Sequence, residues 1–407
     1  MMSKLVELHA TDADWEHLCR HVFTGDRDEH GAVLLCGIAE GDAFTRLLVR
    51  DVVLAVDGVD YLPGLRGYRH LDGAFVTHQA RRARDQGLAY IAVHNHGGTT
   101  SVGFSGPDLT SHERAYPTLL GLIQRPVGAL VLAEDAVAGD IWFPNGRRVP
   151  LGRTVVVGSS RQVLTPDLDL AEPTVAARYQ RQSLLFGAVG QRILSDSKVA
   201  VVGAGGVGML LVQGLARLGV GNLVVIDPER VDITNLPRLP EASRRDAMEY
   251  LARVRLPAWV RKVARSFAAP KVQVARGIVR RANPDAKFEG LVGDIADDDV
   301  ARRVTDCDFI FLAADSMLAR SVVNQISYQY LVPALQVGSK PVIEPISGRS
   351  STSSVWFEPS ARIRGACRAP GSSIRLDWVR KPLATRCKWR TNGTLTIPRW
   401  RQPVSSP

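Results

Sequence analysis

Hydrophobic positions in this 407-residue chain follow two spacings that alternate along its length. Short continuous apolar runs rich in β-branched residues are typical of buried strands, and apolar residues repeated every three or four positions are typical of one helix face. The two spacings alternate through residues 1 to about 150 and again from 177 to about 358. The pattern therefore predicts an α/β fold class with two folded stretches.

The first stretch contains alternating helices and strands, which the pattern predicts at 15–22, 32–37, 45–53, 74–86, 88–93 and 154–157. Turn-forming residues follow the last of these runs and continue to about Pro173. We therefore predict a first domain at 1–158 and a linker at 159–176.

The second stretch, predicted as a domain at 177–358, begins with one compact unit. The β-branched run Lys198–Val202 leads directly into a turn that contains Gly203, Gly205, Gly206 and Gly208. A helical pattern follows, then a strand at 223–226 that ends at Asp227. The N-terminus of such a helix offers free N–H groups to a phosphate, and side chains larger than hydrogen would block that approach. Further along, the pattern predicts a strand at 309–314, a helix at 316–330 and a strand at 332–337.

A glycine turn of this kind is weak evidence by itself, because several enzyme classes share it. The residues that follow are more informative: Asn235, Arg238, Lys271 and Asp315, the last at the end of an apolar strand. A nicotinamide enzyme has no need of these cations and this carboxylate near the phosphates. Nucleotidyl transfer does, because cations must offset charge on the α-phosphate and a carboxylate must hold Mg²⁺.

In their order, these motifs resemble the ThiF/MoeB/E1 superfamily, which adenylates the C-terminal glycine of ubiquitin-like proteins. The resemblance covers roughly residues 177–345. It implies a Rossmann-like doubly wound sheet that binds ATP and Mg²⁺, with the glycines at the phosphates and Asp227 at the ribose. Asn235, Arg238 and Lys271 would stabilise the transferring phosphate, and Asp315 would hold the metal.

Two further features belong to the same resemblance. The segment Arg178-Tyr-Gln-Arg181-Gln matches a motif upstream of the glycine turn. In that superfamily an arginine of this motif reaches a nucleotide phosphate, often across a dimer interface, which implies a homodimer formed through this domain. Thirty-six positions separate Asn235 from Lys271, more than is usual in the superfamily, so a helix is predicted to be inserted there and Lys262 is a rival for the lysine.

A second candidate site lies in the first stretch, where the predicted strand at 88–93 leads into His94-Asn-His96. Two histidines at i and i+2 in extended chain point the same way, so both imidazoles can reach one metal ion. Asp108 can return as a third ligand, which leaves a fourth position open for water, as in catalytic zinc sites. Zinc lowers the pKa of such a water to about 7.

A carboxylate must then accept the proton, and Glu29 is the candidate, with Asp26, Asp28 and Glu40 as neighbours. Ser105 could donate a hydrogen bond to an oxyanion. The order Glu, His-x-His, Ser-x-x-Asp resembles the JAMM (JAB/MPN) metallopeptidases, although the His96–Ser105 loop is one residue longer than usual. This resemblance covers about residues 1–150 and implies a JAB/MPN α/β fold. It assigns His94, His96 and Asp108 to Zn²⁺, Glu29 as general base and Ser105 as oxyanion donor.

Charge and cysteine content narrow the choice of partners. The net charge of +10 arises entirely in a basic, pattern-poor tail at 359–407, where eleven Lys and Arg face one Asp, so the rest of the chain is neutral. A nucleic acid is therefore not expected as a partner. No apolar run reaches the ~18 residues needed to span a bilayer, so a membrane is not expected either. Five scattered cysteines without a C-x-x-C pair predict a cytoplasmic protein. Cys367 is a weak candidate for a thioester.

Together the two resemblances predict a bifunctional enzyme that both cleaves at and adenylates the C-terminal glycine of a ubiquitin-like protein, with an E2-like protein as a possible further partner. Three alternatives stay open. One is an adenylyltransferase for a sulfur-carrier protein of cofactor synthesis. Another is a peptidase whose Rossmann-like domain only binds a nucleotide or a partner. The third is a dinucleotide oxidoreductase.

Overall fold

The computed structural model describes residues 4–26, 28–41, 44–62, 69–158, 161–167, 173–248, 259, 266–343 and 350–359, with side chains described as far as residue 338. The chain divides into two compact units, which we describe separately. Within the described residues, no helix combines the length and the apolar character needed to span a membrane.

The first unit is built on a nine-stranded mixed sheet in the order β7-β6-β5-β4-β2-β3-β1-β8-β9. Its elements are β1 (Leu5–Thr11), α1 (Asp12–Val22), β2 (Gly31–Glu40), β3 (Phe44–Leu54), α2 (Gly73–Gln86), β4 (Ala89–Asn95), α3 (Gly106–Ile123), β5 (Val127–Leu132), β6 (Val137–Trp142), β7 (Arg148–Pro150), β8 (Arg153–Val157) and β9 (Arg161–Leu164).

Both faces of this sheet are apolar where helices cover them. On β2, Leu34 packs into the core that contains α1, whereas Val33 and Leu35 pack into the core beneath α2 and α3. This division follows from the strand period of two, which sends successive side chains to opposite faces. It explains why the strand at 32–37 is apolar without interruption.

The second unit is built on a six-stranded sheet in the order β12-β11-β10-β13-β14-β15, parallel except for β15. Its elements are α4 (Gln180–Asp196), β10 (Lys198–Val202), α5 (Gly206–Leu218), β11 (Asn222–Ile226), α6 (Lys271–Ala282), β12 (Lys287–Leu291), α7 (Asp298–Arg302), β13 (Phe309–Leu312), α8 (Met317–Tyr330), β14 (Ala334–Ile343) and β15 (Ser350–Pro359).

Helices cover both faces of this sheet, as the Rossmann-like expectation requires. On β10, Val199 and Val201 pack against α5 and α6, and Ala200 and Val202 pack on the opposite face with α7 and α8. The chain leaves β10 toward β11 on one side and later returns to β13 on the other. Ligands bind at such a switch point, outside the carboxyl ends of the strands. Gly203 follows β10, so the glycine turn lies at that position.

Seven of the described strands were not predicted, namely β1, β5, β6, β7, β9, β12 and β15. β9 pairs with β8 and extends the first sheet into the segment predicted as a linker at 159–176. β15 pairs with β14 over residues where the hydrophobic pattern fades. The domain boundaries stay a prediction, and the tail from 360 onward, including Cys367, lies outside the described residues, as does Lys262.

Candidate functional sites

The glycine turn in the second unit is shaped by two close approaches. A Cβ on Gly208 would lie 1.8 Å from the Gly203 carbonyl oxygen, and a Cβ on Gly203 would lie 2.7 Å from the Ala314 nitrogen. Gly203 also has φ of +95°, a left-handed conformation that favours glycine. These positions are therefore glycine because the backbone itself is packed there.

At Gly205, packing within the protein does not require a glycine. Its backbone is extended, with φ −80° and ψ −163°, and no described atom lies within 4 Å of the Cβ it would carry. Among the described residues, no side chain caps α5, which begins at the next residue. The first N–H groups of α5 therefore have no side-chain partner among the described residues, and the space beside Gly205 is open, as a helix terminus that receives a phosphate requires.

Asp227, at the end of β11, holds this turn in place. One carboxylate oxygen accepts the Ala204 N–H at 2.7 Å, and the other accepts the Glu229 N–H at 2.8 Å. Burial raises the pKa of Asp227, against the opposing effects of these bonds and of the nearby Lys271 charge. The carboxylate predicted to hold a ribose thus also fixes the backbone of the glycine turn.

Lys271 is the first residue of α6 and is 5% exposed. Its ammonium group donates a hydrogen bond to Glu229, which lies two residues beyond Asp227. Sequence reasoning chose the lysine but missed this partner, although a carboxylate so close to Asp227 was a usable signal. A buried cation is costly unless paired, so Glu229 stabilises Lys271 at this edge of the sheet.

Of three other predicted residues, Arg238 contacts the turn through its carbonyl, and Asp315 follows the backbone segment that contacts Gly203. The Arg238 carbonyl oxygen would lie 2.9 Å from a Cβ on Gly206, and the Arg238 guanidinium donates to the Thr234 carbonyl at 2.9 Å. Asn235 is buried and accepts the Asp232 N–H, so it completes the capping box in which Asp232 caps a single turn of 3₁₀ helix at Ile233–Asn235. Asp315 is exposed, directly after the Ala313–Ala314 backbone that contacts the glycine turn.

The two arginines of the upstream motif lie elsewhere. Arg178 pairs with Asp285 and stacks on Tyr179, whose ring would meet a Cβ on Gly219 at 2.8 Å. Gly219 ends α5, and thirteen residues of helix, about 20 Å, separate it from the glycine turn. Arg181 is exposed near the start of α4. Within one chain, Arg178 therefore does not reach the glycine turn.

The second candidate site is in the first unit, where one ligand atom each from His94, His96 and Asp108 lie within 4.8 Å of one another. The two imidazole Nε2 atoms are 3.2 Å apart, and the Asp108 oxygens lie 3.6 Å from His94 and 3.5 Å from His96. Two imidazoles and a carboxylate are a donor set that Zn²⁺ accepts. The arrangement therefore fits a metal ion with an open coordination position.

Local structure explains how these groups converge. β4 ends at Asn95, and its parallel neighbour β5 accepts the His96 N–H at the Leu132 carbonyl, 2.8 Å away. Asp108 lies in the first turn of α3, where its carboxylate accepts the Ser105 N–H at 2.8 Å and the Ser105 hydroxyl at 2.7 Å. Burial raises the pKa of Asp108, but hydrogen bonds from His94 and Ser105 outweigh it and hold that pKa well below its usual value.

The Ser105 hydroxyl has a structural role that bears on its predicted function. It belongs to a capping box at the start of α3, in which Ser105 also accepts the Asp108 N–H. This explains why a serine stands three residues before the aspartate. Its role as an oxyanion donor stays a prediction.

Among the four carboxylates weighed as general base, Glu29 lies at the cluster. One of its oxygens is 3.8 Å from His96 Nε2. Asp26 instead pairs with His30, and Glu40 lies at the other end of β2, where it pairs with Lys4. Burial raises the pKa of Glu29, against the opposing effect of the His94 and His96 charges. A raised pKa suits a group that exchanges protons near neutral pH.

The described cysteines offer no reactive thiol. Cys36 and Cys307 are buried, and burial raises the pKa of the Cys19 thiol to about 11. A nucleophilic cysteine needs a lowered pKa and access to solvent.

Comparison with known proteins identifies the second unit. Residues 179–342 match the model of the ThiF family, so this part of the chain is a ThiF family domain. The matched residues contain the glycine turn, Asp227, Lys271 and Asp315 and exclude the histidine cluster, so the match bears on the second unit alone.

Three curated relatives resemble this chain. The molybdopterin-synthase adenylyltransferase of Escherichia coli strain K12 is 30% identical over 158 residues, 38% of this chain and 55% of that protein. The sulfur carrier protein ThiS adenylyltransferase of Bacillus subtilis strain 168 is 27% identical over 40% of this chain and 43% of its own. The SAMP-activating enzyme E1 of Haloferax volcanii is 31% identical over 38% and 51%. The chain thus spans about half the length of the curated relatives it matches.

Proposed function

We propose that this protein is an ATP-dependent adenylyltransferase that activates the C-terminal glycine of a small sulfur-carrier or ubiquitin-like protein. One observation carries the proposal: in a ThiF family domain, the uncapped N-terminus of α5 follows a turn that Asp227 holds, and the charge of the buried Lys271 acts on Asp227. An oxidoreductase would not require the cation there, whereas a reaction at the α-phosphate does.

Each residue has a task in this reaction. The α5 N–H groups beyond Gly205 would bind phosphate oxygens, and Asp227 would receive the ribose while it holds the turn. Lys271 and Arg238 would offset the negative charge that builds up as the substrate carboxylate attacks the α-phosphate. Mg²⁺ beside Asp315 would neutralise charge on the departing pyrophosphate.

The sulfur-carrier form of the proposal is favoured over the ubiquitin-like form by the relatives. Two of the three reported relatives are named for molybdopterin synthase and for the sulfur carrier ThiS. We further propose a homodimer, because Arg178 lies at the opposite end of α5 from the glycine turn of its own chain and could assist only in a partner chain.

ATP–pyrophosphate exchange in the presence of a sulfur-carrier protein with a C-terminal Gly-Gly tests this proposal. Lys271→Ala and Asp315→Ala should each abolish exchange, and Lys287→Ala, an exposed lysine on β12, should leave it unchanged. Full exchange by both site variants would contradict the proposed site. Tight binding of NAD in place of ATP would contradict the proposed function.

For the first unit we propose a second activity, zinc-dependent hydrolysis of a peptide or isopeptide bond that follows the same C-terminal glycine. The convergence of His94, His96 and Asp108, with Glu29 beside them, favours it. Zn²⁺ held by the three donors would lower the pKa of a water to about 7. Glu29 would accept the proton from that water and return it to the leaving amine.

Zinc binding and cleavage of a Gly-Gly aminomethylcoumarin peptide test the second activity. His96→Ala should lose both zinc and cleavage, yet keep ATP–pyrophosphate exchange. His17→Ala, an exposed histidine on α1, is the matched control and should keep all three. Loss of both activities in every site variant would contradict the model of two separate sites. Two sites on one chain would share a partner at a raised local concentration.

A further inference from the structure

The segment that carries Glu29 is held against the strand that carries the histidines. β2 and β4 are antiparallel, and their last backbone pair joins Gly31 to His94. One residue beyond that pair, the His30 N–H donates to the Asn95 side-chain oxygen at 2.7 Å. The amide of Asn95 thus supplies the next rung of the ladder, in place of a backbone carbonyl.

This hydrogen bond joins residues that are 65 positions apart. Asn95 lies between His94 and His96, and alternation along extended chain directs its side chain away from the converging imidazoles. His30 is 4% exposed, so its N–H has little access to water. A buried N–H without a partner is destabilising, so the loss of Asn95 would favour displacement of this segment.

Contacts from the loop that precedes α2 hold the same segment as well. The Gly31 N–H donates to the Tyr61 hydroxyl at 2.7 Å. The Arg69 guanidinium stacks on the Tyr61 ring at 4.0 Å, and the Arg69 backbone donates a hydrogen bond to the Glu29 carboxylate. Tyr61 and Arg69 both belong to the loop that precedes α2. Of these three side-chain partners, Asn95 is the one that belongs to the histidine-bearing strand.

We propose that Asn95 is a positioning residue, which fixes the distance between the Glu29 carboxylate and the His94–His96 pair. The proposal rests on the hydrolytic activity proposed above. A displacement of roughly 1 Å at a reacting group can cost about a hundredfold in rate, and Glu29 now lies 3.8 Å from His96. Asn95 acts through the His30 backbone, and in this proposal it touches neither substrate nor metal.

Two substitutions test the role of the side-chain oxygen. Asn95→Leu removes the acceptor at similar volume, and Asn95→Asp retains it. Asn145→Leu is the matched control, because the Asn145 side chain also accepts a backbone N–H, from Arg147 at 3.1 Å, within a turn of the same unit.

The first readout needs no substrate. Histidine labelling reduces the amide spectrum to nine signals, and a His30→Gln variant assigns the one of interest. Asn95→Leu should speed hydrogen exchange at the His30 amide by about tenfold, since a buried hydrogen bond is lost. Asn95→Asp and Asn145→Leu should leave that rate unchanged. Unchanged exchange in Asn95→Leu would overturn the proposal.

The second readout separates positioning from folding and from metal binding. With zinc bound, Asn95→Leu should lower kcat for the Gly-Gly aminomethylcoumarin peptide by about tenfold or more at unchanged KM, and Asn95→Asp should restore it. Zinc affinity, measured against a chelator, should be unchanged in both. Wild-type kcat in Asn95→Leu would overturn the positioning role. Wild-type protein that binds zinc but does not cleave the peptide would contradict the hydrolytic function. The hydrogen-exchange rate of the His30 amide would still decide whether Asn95 holds the segment.

Discussion

Two glycines in the same turn should respond in opposite ways to a single added methyl group. At Gly205 the methyl of alanine meets no described atom within 4 Å, and the backbone angles suit any residue. At Gly208 the methyl would lie 1.8 Å from the Gly203 carbonyl oxygen, far inside contact distance. Gly205→Ala should therefore leave the fold intact and obstruct a phosphate, whereas Gly208→Ala should damage the fold.

The magnitudes follow from these contacts. Gly205→Ala should change the free energy of unfolding by less than about 1 kcal/mol, because it strains nothing and lowers the entropy of the unfolded chain. It should weaken ATP binding by about ten- to a hundredfold, the equivalent of one or two hydrogen bonds to a charged group. Gly208→Ala should cost about 3 kcal/mol or more, since the turn and α5 must move apart.

Urea unfolding and ATP titration calorimetry measure the two quantities without a protein substrate. Gly214→Ala is the control, because Gly214 is exposed within α5 and no described atom crowds its Cβ. That variant should gain up to about 1 kcal/mol of stability and keep its ATP affinity. Wild-type ATP affinity in Gly205→Ala would refute the phosphate-binding role of the turn. Wild-type stability in Gly208→Ala would refute the packing described for it.

Further predictions concern a buried charge in the first unit and the proposed dimer. Glu7 is 0% exposed and bonds to Arg46, and despite burial, His9 and the arginines lower its pKa from 4.5 to about 2. Because the pKa of Glu7 is lower in the folded protein than in the unfolded chain, its carboxylate should contribute about 3 kcal/mol to the free energy of unfolding above pH 4.5. This contribution should be lost as the pH falls toward 2. Urea titrations at several pH values would detect the loss. Glu7→Gln should cost about 3 to 5 kcal/mol at neutral pH, because it removes the charge that pairs with the buried Arg46. Glu40→Gln, at a surface pair, should cost under about 1 kcal/mol. Equal effects would contradict this account. If Arg178 acts in the partner chain, a mixture of the Arg178→Ala and Lys271→Ala proteins should recover part of the ATP–pyrophosphate exchange that each protein lacks alone. Absence of recovery in verified mixed dimers would argue against a role for Arg178 in the partner chain.

Much of the fold could be predicted from the sequence because the relevant signals are local. The βαβ unit around the glycine turn was predicted at the right place, since β-branched runs and helical spacing record burial within a few residues. β9 and β15 were missed for the same reason. β9 has only four residues, and β15 begins with five Ser and Thr in a row, so both owe their formation to pairing with β8 and β14 rather than to their own pattern.

The residue types of both candidate sites were also readable, because chemistry restricts which side chains can serve. Histidines at i and i+2 point to one side of any extended strand, so His94 and His96 could be paired from spacing alone. Glu29 was preferred as the general base over three neighbouring carboxylates, but spacing alone could not place it beside the histidines. The register of β2 against β4 brings Glu29 to His96 and leaves Glu40 at the far end.

The sequence by itself determined the α/β class, the glycine turn and the sets of residues able to hold a nucleotide or a metal. Only the tertiary structure decided which of them meet: Glu229 at Lys271, Glu29 at His96, and Arg178 at the opposite end of α5 from the glycine turn. The physical reason is that periodicity and spacing act over a few residues, whereas these contacts join segments whose proximity depends on strand register and helix packing across the whole sheet.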